Sequence, residues 1–404
     1  MKLYPHQEKA VGRLKNGSVL VGGVGSGKSL TALYYWHTKV CGGSFGPYTQ
    51  RQKKIPLYII TTARKRDTHD WEEELIPFLP GKRETIVIDS WNNIGKYIGV
   101  EHAFFIFDEQ RLVSYGTWAK AFLKISKRNK WIMLSATPGD CWLDYLSLFI
   151  AHGFVKNKTD FNNKYCVFSR FSKYPKIERY VGEQELSRFR SRILVVMKDQ
   201  RKTKRHYKNV FVEFDRETYN FVTKFRKNPY NLDARTKEPL PCMDMGEVCR
   251  VLRRIVGENE NKVEELWNFT KEFPRLIIFY NYDYELDMLR AFGEIAIKKG
   301  RVDKYAEWNG HRHEPVPVYK RWLYFCQYTA AGEGWNCTST NCEVFFSQNY
   351  SYKLMEQSSG RIDRMNTKYK DLYYHTLLTN SGIDKQISVA IKKKKVFQER
   401  DLVL

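Results

Sequence analysis

The fold of this chain of 404 residues is decided by one stretch, Ser18-Val19-Leu20-Val21-Gly22-Gly23-Val24-Gly25-Ser26-Gly27-Lys28-Ser29. A short apolar run ends in a glycine-rich turn, and helix-forming residues follow at 30–36. The turn matches G-x-x-x-x-G-K-[ST], the pattern of a loop that closes around phosphate between a strand and a helix. Glycines let backbone N–H groups approach phosphate oxygens, and the following helix directs its positive end toward the same anion. The stretch therefore predicts an α/β domain that binds a nucleoside triphosphate.

Triphosphate chemistry assigns a role to the individual residues of this loop. We expect Lys28 to reach the β- and γ-phosphates and the Ser29 hydroxyl to bind Mg²⁺. Backbone N–H groups should supply the other phosphate contacts, and the residues expected to carry them are Gly22, Gly25, Ser26 and Gly27. The predicted cofactors are ATP and Mg²⁺. The alternative is a glycine-rich turn that binds nothing.

The formal net charge of +23 indicates a polyanionic partner. Basic residues cluster at 51–54, 198–208 and 392–395, and aromatic residues, which make up 15% of the chain, are interleaved among them. This combination favours nucleic acid over a charge that only keeps the protein in solution. For the lysine run at 392–395, a solvated helix face is the alternative.

Composition also bears on the cellular setting. No run of about 18 apolar residues is present, so we predict no membrane span and no membrane partner. The N-terminus lacks the apolar core of a signal peptide. The eight cysteines are scattered and form no C-x-x-C pair, which argues against a zinc site or a disulfide framework. We expect a monomer in a reducing cytoplasm, which is the host's cytoplasm if the gene is viral.

Short apolar runs that end in small or polar residues occur in two parts of the chain. The runs lie at 57–61, 85–89, 104–108, 131–135, 276–280, 322–328, 343–347 and 372–378. Because helical stretches separate them, they predict two parallel sheets that are covered by helices on both faces. Ligands of such sheets bind where the strands end. The polar, basic stretch between the two parts contains proline breaks and predicts a helical bridge or insertion.

An acidic pair, Asp108-Glu109, ends the apolar run at 104–107. An aspartate at the end of a strand can hold Mg²⁺, usually through water. The adjacent Glu109 can act as the base that activates the water attacking the γ-phosphate. The alternative is an acidic pair that only caps a helix.

Near the C-terminus, Arg361 and Arg364 follow Gln357 in a segment of helical character. Arginines three residues apart project from nearly one face of a helix. If they lie across a cleft from the phosphate loop, they can stabilise charge on the γ-phosphate as arginine fingers. Surface cations without that role are the alternative.

Taken in order, these motifs resemble those of the superfamily 2 helicases and translocases, and among them the SWI/SNF-type ATPases. Tyr4-Pro5-His6-Gln7 resembles their adenine-recognition motif, 331–336 resembles motif V and 357–364 resembles motif VI. The resemblance implies that Gln7 reads the adenine, that Gln357 takes part in catalysis and that Gly332 and Gly334 contribute to the nucleotide site. It also implies α/β architecture with two RecA-like lobes, at 1–155 and 261–404, joined by a helical region at 156–260.

The same resemblance implies nucleic-acid contacts from motifs Ia, Ib, IV and V. The matching positions are Thr61, Thr62, Ser90, Trp91, Tyr280, Asn281 and Thr329. Most of these side chains are small hydroxyl or amide groups, which suit contacts to the phosphate backbone and do not read sequence. At each position, a cap at the end of a strand is the alternative.

The resemblance implies an ATP-dependent DNA helicase or translocase that moves along DNA and unwinds it. Its expected partner is single-stranded or forked DNA without sequence preference, and other replication proteins are possible partners. A core of this size resembles motors of phages and mobile elements, which implies a role in DNA replication, recombination or repair. Three alternatives stay open: a duplex translocase that does not unwind, an RNA helicase, and a nucleotide-gated loader with weak ATPase activity.

Overall fold

The computed structural model describes residues 2–23, 25–45, 51–78, 85–109, 116–170, 175–198, 202–331, 335–364 and 366–399. The chain forms two compact units, of which the first comprises Met1–Gln200 with Lys394–Leu404 and the second comprises Arg201–Lys393. Among the described residues, each unit contains a six-stranded sheet in which all paired strands are parallel. This architecture confirms the predicted fold class, α/β with two RecA-like lobes built on parallel sheets and flanked by helices.

The described part of the first unit begins with a helix, and its sheet follows in alternation with further helices. The strands are β1 (Val19–Gly22), β2 (Leu57–Thr61), β3 (Ile86–Ser90), β4 (Phe104–Phe107), β5 (Lys130–Ser135), β6 (Cys166–Phe168), β7 (Ile177–Tyr180) and β8 (Leu194–Met197). The helices are α1 (Pro5–Arg13), α2 (Lys28–Tyr35), α3 (Ala63–Asp67), α4 (Asp70–Leu75), α5 (Thr117–Ser126), α6 (Leu146–Ala151), α7 (Lys158–Tyr165) and α8 (Glu183–Ile193). A π-helical turn, Trp36–Val40, continues α2, and 3-10 turns lie at Ile76–Phe78, Trp91–Tyr97 and Trp142–Tyr145.

The first sheet has the strand order β3-β2-β4-β5-β1-β8. Its central strands are apolar throughout because both faces of the sheet are covered. Successive side chains of β4 alternate between two apolar clusters: Phe105 and Phe107 pack on one face, and Phe104 and Ile106 pack on the other. The parallel arrangement brings the ends of β1 and β4, and with them the phosphate loop and the acidic pair, to one edge of the sheet.

The second unit repeats this plan, and each unit also has a two-stranded antiparallel pair, which β6 and β7 form in the first. Its strands are β9 (Lys204–Val212), β10 (Lys227–Leu232), β11 (Pro239–Pro241), β12 (Arg275–Tyr280), β13 (Lys304–Trp308), β14 (Trp322–Gln327), β15 (Cys342–Phe345) and β16 (Asp371–Thr379). Its helices are α9 (Arg216–Phe225), α10 (Met245–Gly257), α11 (Glu260–Glu272), α12 (Asp283–Lys298), α13 (Tyr328–Ala331), α14 (Tyr352–Ser359) and α15 (Gly382–Glu399), of which the last ends in the first unit. The sheet order is β13-β14-β12-β15-β16-β9, and β10 and β11 form a separate antiparallel pair.

The observed division differs from the expected boundaries, because the region 156–260 is divided between the two units. The edge strand β8 pairs with β1 in the first sheet, and β9 pairs with β16 over its whole length in the second. The sequence of β9, Lys-Arg-His-Tyr-Lys-Asn-Val-Phe-Val, does not read as a buried strand because edge strands carry charge and stay largely exposed. The end of the chain also returns to the first unit, where the Phe397 ring lies 4.9 Å from the Trp142 ring.

Two further findings concern the described part of the chain. None of its helices combines the length and the apolar character needed to cross a bilayer. All eight cysteines are free thiols.

Candidate active site

The loop between β1 and α2 can only be built with glycine. Gly25 and Gly27 have φ angles of +81° and +78°, in the left-handed region. A Cβ atom on Gly27 would lie 2.3 Å from Gln7 Nε2, and one on Gly22 would lie 2.6 Å from Ser26 Oγ. The loop therefore forms a close backbone cradle, and α2 begins at its end, where Gly27 provides no side-chain cap for the first turn of the helix.

The polar groups of this cradle suit an anion. Lys28 Nζ donates to the carbonyl oxygens of Gly22 and Gly23, at 2.9 Å in both cases. The Ser26 hydroxyl is fully buried and has no hydrogen-bond partner among the described residues. Ser29 follows in the first turn of α2 and is partly exposed. An ammonium group, an unpaired hydroxyl and a helix N-terminus at one loop fit a phosphate group.

Gln7 connects helix α1 to this loop. Its Oε1 accepts a hydrogen bond from the Tyr4 N–H at 2.9 Å, and its Nε2 donates to the Ser26 carbonyl at 3.4 Å. Only 2% of Gln7 is exposed. Gln7 thus lies against the phosphate loop, as an adenine-reading residue of α1 would, but its contact with a base stays a prediction.

The carboxylate of Asp108 is buried at the end of β4 and is held on one side. Its Oδ2 accepts hydrogen bonds from Thr61 Oγ1 at 2.9 Å, Lys65 Nζ at 2.9 Å and Trp71 Nε1 at 3.1 Å. Its Oδ1 accepts no hydrogen bond from the described residues. The oxygen without a partner is the one that a hydrated Mg²⁺ ion could use, so the residues present fit this metal.

Thr61 and Trp91, both predicted to contact nucleic acid, donate hydrogen bonds to Asp108: Thr61 to its carboxylate and Trp91 to its backbone carbonyl. Thr61 has no exposed surface, and Trp91 is 2% exposed. The Trp91 indole donates to the Asp108 carbonyl oxygen at 2.8 Å. Side chains buried in this way offer no surface to a phosphate backbone. Sequence reasoning could not find their role, because the contacts join residues that lie 47 and 17 positions apart.

Glu109 has a backbone conformation that is uncommon outside glycine, with φ +55°. Its Oε1 lies 3.8 Å from Lys65 Nζ, so one ammonium group faces both carboxylates of the acidic pair. Lys65 belongs to α3, whose first turn is capped by Thr62: the Thr62 hydroxyl accepts from the Lys65 N–H at 3.3 Å. Thr62 therefore caps the first turn of α3. The contact of Lys65 with the acidic pair was not predicted from the sequence, because Lys65 lies in a short basic run without a recognisable motif.

Ser90 also has a protein partner. Its hydroxyl accepts from Arg66 Nη1 at 3.3 Å, and the same nitrogen lies 3.3 Å from the carboxylate of Asp89. Burial alone would raise the pKa of Asp89, but hydrogen bonds, above all from Tyr97 at 2.7 Å, outweigh it and keep the pKa below its usual value. The end of β3 thus contributes a fixed anion that anchors α3.

In the second unit, the two predicted arginine fingers converge on one carbonyl oxygen. Arg361 Nη1 donates to the Trp335 carbonyl at 2.8 Å, and Arg364 Nη2 approaches the same oxygen at 3.5 Å. Gln357 lies in α14 and is 2% exposed. The structure therefore brings the arginines of the 357–364 segment together. The predicted nucleotide contacts Gly332 and Gly334 lie outside the described residues.

A charged clamp from β9 holds the same segment. Arg205 Nε donates to Asp363 Oδ2 at 2.6 Å, and the Thr203 hydroxyl donates to Asp363 Oδ1 at 2.6 Å. Arg205 also reaches Glu356 at 3.2 Å. The sequence assigns this basic cluster to electrostatic binding of nucleic acid, but two carboxylates balance the charge of Arg205.

Glu343, in the centre of β15, was not recognised from the sequence. It is fully buried, and neither carboxylate oxygen has a hydrogen-bond partner among the described residues. Burial raises the pKa of Glu343 well above its usual value, against the opposing charges of Arg205, Arg361 and Arg364. Burial thus favours the uncharged form of this carboxyl group, and the three arginines act in the opposite direction.

The three residues of the second unit predicted to contact nucleic acid, Tyr280, Asn281 and Thr329, differ in their access to solvent. Tyr280 is fully buried in the apolar core of the second unit. The Asn281 amide donates to Ser347 Oγ at 2.7 Å and to the Gln348 carbonyl at 3.1 Å, and its Oδ1 accepts from Asn349. Thr329, on α13, is exposed. Of these three predicted contacts, Thr329 alone presents a freely accessible side chain.

Comparisons with known proteins give one kind of match. No protein-family model matches the chain, and no curated protein does. Among solved structures, the chain is similar to the SWI2/SNF2 ATPase core of Sulfolobus solfataricus in complex with double-stranded DNA. The identity is 17%, the TM-score is 0.42, and the match covers 99% of this chain and 94% of the other. At this level of likeness, the chain's own residues must carry any functional conclusion.

Proposed function

We propose that the chain is a DNA-dependent ATPase that uses hydrolysis to move along DNA. The observation that carries the proposal is the pairing of a phosphate cradle after β1 with the Asp108-Glu109 pair after β4, in which Asp108 is buried and Glu109 is partly exposed. Both lie at the carboxyl edge of one parallel sheet, where ligands of such sheets bind. The net charge of +23 supports a nucleic-acid partner.

In the proposed reaction, Lys28 and the loop N–H groups bind the β- and γ-phosphates of ATP. Ser29 and Asp108 would hold Mg²⁺, which neutralises phosphate charge when bound. Glu109 takes the proton of the attacking water, and its carboxylate lies 3.8 Å from the Lys65 ammonium group. The hydrogen bonds from Thr61, Trp71 and Lys65 hold Oδ2 of Asp108, and its other carboxylate oxygen would be available to Mg²⁺.

The residues of the second unit have a proposed role that rests on their sequence pattern and not on a distance to the phosphate loop. Arg361 and Arg364 would stabilise charge on the γ-phosphate, and Gln357 would act in the same step. The shared Trp335 carbonyl and the Arg205–Asp363 clamp support this, because they keep the two guanidinium groups side by side.

Several finer parts of the proposal rest on the sequence. Unwinding of forked or single-stranded substrates, cooperation with other replication proteins, a monomeric state, a cytoplasmic setting and a phage or mobile-element origin stay predictions. Duplex translocation without unwinding, an RNA partner and a loader with weak ATPase activity are the competing versions. They differ in which nucleic acid stimulates ATP hydrolysis and in whether strands separate.

The test is ATP turnover by the full chain with single-stranded DNA, blunt duplex DNA or RNA of equal length. We expect DNA to stimulate turnover, and we expect Glu109→Gln to reduce the stimulated rate by about 100-fold or more while ATP still binds. Glu73→Gln, at an exposed carboxylate of α4, is the matched control and should leave turnover unchanged. Unchanged turnover in Glu109→Gln would remove Glu109 as the base, and stimulation by RNA alone would replace DNA as the partner.

A further inference from the structure

Six tyrosine and arginine side chains form a continuous row in the second unit, and none of them belongs to the site described above. We name it the Tyr–Arg row. It joins the hairpin strand β10, the end of α10, the start of α12 and the segment after β15. Its members, in spatial order, are Tyr230, Arg254, Tyr284, Tyr282, Arg253 and Tyr350.

Each member of the row contacts the next through a ring face or a guanidinium group. The Arg254 guanidinium lies 4.0 Å from the Tyr230 ring centre and 5.7 Å from that of Tyr284. The rings of Tyr284 and Tyr282 are stacked, 5.2 Å apart and 13° from parallel. The Arg253 guanidinium lies 5.3 Å from the Tyr282 ring and 5.2 Å from the Tyr350 ring. The side chains therefore support one another as a single surface.

The outer part of this surface is aromatic. Tyr230, Tyr282 and Tyr350 are 41%, 36% and 42% exposed, which is high for rings of this size. The arginines are tied to the protein: Arg253 Nη2 donates to the Gln348 carbonyl at 2.6 Å, and Arg254 pairs with Glu258 at 2.8 Å. What the row offers to a partner is thus mainly the exposed parts of three tyrosine rings, each of which has a guanidinium group against it.

Hydrogen bonds fix the two segments that carry Tyr282 and Tyr350. Asn281, next to Tyr282, bonds to Ser347, Gln348 and Asn349, the residues that lead to Tyr350. This network spans the carboxyl ends of β12 and β15, the edge at which parallel sheets bind ligands. A surface that is rigid before binding loses little entropy when a partner arrives.

We propose that the Tyr–Arg row is a base-stacking surface for single-stranded DNA. Every base has an aromatic face, so tyrosine rings bind bases of any sequence, and cations add attraction to the backbone. A duplex hides its base faces inside the helix, whereas a single strand can turn them toward the rings. The inference rests on the proposed function for its choice of DNA, and it adds a contact to the bases where the sequence predicted contacts to phosphates alone.

The experiment measures binding of the full chain to two labelled strands at one salt concentration. One is an oligothymidylate of about 20 nucleotides, and the other is an abasic strand of equal length, which has the phosphates but no bases. Stacking predicts that Tyr282→Ala and Tyr350→Ala each weaken oligothymidylate binding by about 5- to 100-fold. The same variants should bind the abasic strand as the unchanged protein does. Tyr282→Phe keeps the ring and is the matched control, with binding within about twofold.

The outcomes separate this inference from the proposed function. If DNA stimulates ATP turnover but the alanine variants bind oligothymidylate normally, the stacking surface is refuted and the motor stands. Equal losses on the oligothymidylate and the abasic strand also refute stacking, because they indicate a general structural effect. If the protein binds no DNA and DNA does not stimulate turnover, the proposed function itself fails. Unchanged thermal unfolding of the alanine variants excludes loss of the fold as the cause.

Discussion

Replacing Lys65 by methionine should lower the unfolding free energy of the first unit by about 2 to 3 kcal/mol. Lys65 Nζ lies 2.9 Å from Asp108 Oδ2, and the side chain of Asp108 is only 3% exposed. At that separation, and with an effective dielectric constant of about 20, two unit charges attract each other by about 6 kcal/mol. Methionine keeps most of the aliphatic stem, so the substitution removes this attraction and little packing.

The expected loss of unfolding free energy is smaller than this attraction, because folding also removes the two charged groups from water, which costs free energy. Removing one partner of a buried ion pair costs about 3 to 5 kcal/mol, since the other charge stays buried. Here, water screens the pair partly, because Lys65 is 22% exposed. Asp108 also keeps the hydrogen bonds from Thr61 and Trp71. These two effects reduce the expected loss to about 2 to 3 kcal/mol.

Hydrogen exchange of peptides that cover β2 and β4 measures this loss in the first unit by itself. Lys120→Met, at an exposed lysine of α5, removes the same charge from the same unit and should change stability by less than about 0.5 kcal/mol. If Lys65→Met and Lys120→Met have equal effects, the ion pair does not hold Asp108, and our account of how the carboxylate is positioned is wrong.

Two other predictions concern the phosphate loop and a buried histidine. Gly27→Ala should abolish binding of a fluorescent ATP analogue without loss of helix content by circular dichroism, because the new Cβ would meet Gln7 Nε2 at 2.3 Å in a left-handed backbone conformation; retained binding would refute the cradle. Burial lowers the pKa of His375 from 6.5 to about 4, so the unfolded chain takes up this proton first as the pH falls. The contribution of His375 to the free energy of unfolding is therefore fully present above pH 6.5. It should decrease by about 3 kcal/mol as the pH falls to 4. His375→Leu should flatten that decline in hydrogen exchange of β16, and an unchanged pH dependence would contradict it.

The sequence was sufficient for features that depend on local pattern. Continuous apolar runs predict the central strands because parallel sheets are buried on both faces. The phosphate loop is equally local, since its glycines are required by backbone geometry within a few residues. Strand β9 was missed because an exposed edge strand does not need an apolar pattern, and its pairing with β16 joins residues more than 160 positions apart.

The predicted nucleic-acid contacts of the first unit show where local reasoning fails. Thr61 is the last residue of β2 and Trp91 is the first residue of the turn after β3, positions at which residues that touch a ligand are often found. Whether such a side chain turns outward or toward a neighbouring strand depends on what that neighbour carries. Here, the neighbour carries the buried Asp108 carboxylate, which would be costly to leave unpaired, so the Thr61 hydroxyl turns toward it. The Trp91 indole turns toward the backbone carbonyl oxygen of the same residue.

The order of the strands explains why these donors meet at Asp108. β3 follows β2 in the chain and pairs on one side of it, but β4 crosses back and pairs on the other side. Ile60 is thereby in register with Phe107, and Thr61 is in register with Ser90. Asp108 is one residue beyond β4 and therefore lies beside Thr61. The turn after Ser90 begins with Trp91, whose side chain reaches across the end of β2 to Asp108. If β4 had instead been added outside β3, Thr61 would have faced away from the acidic pair and been free to contact a ligand. The topology of the first sheet therefore places the end of β2 beside the acidic pair that follows β4, and neither segment reveals this when read alone.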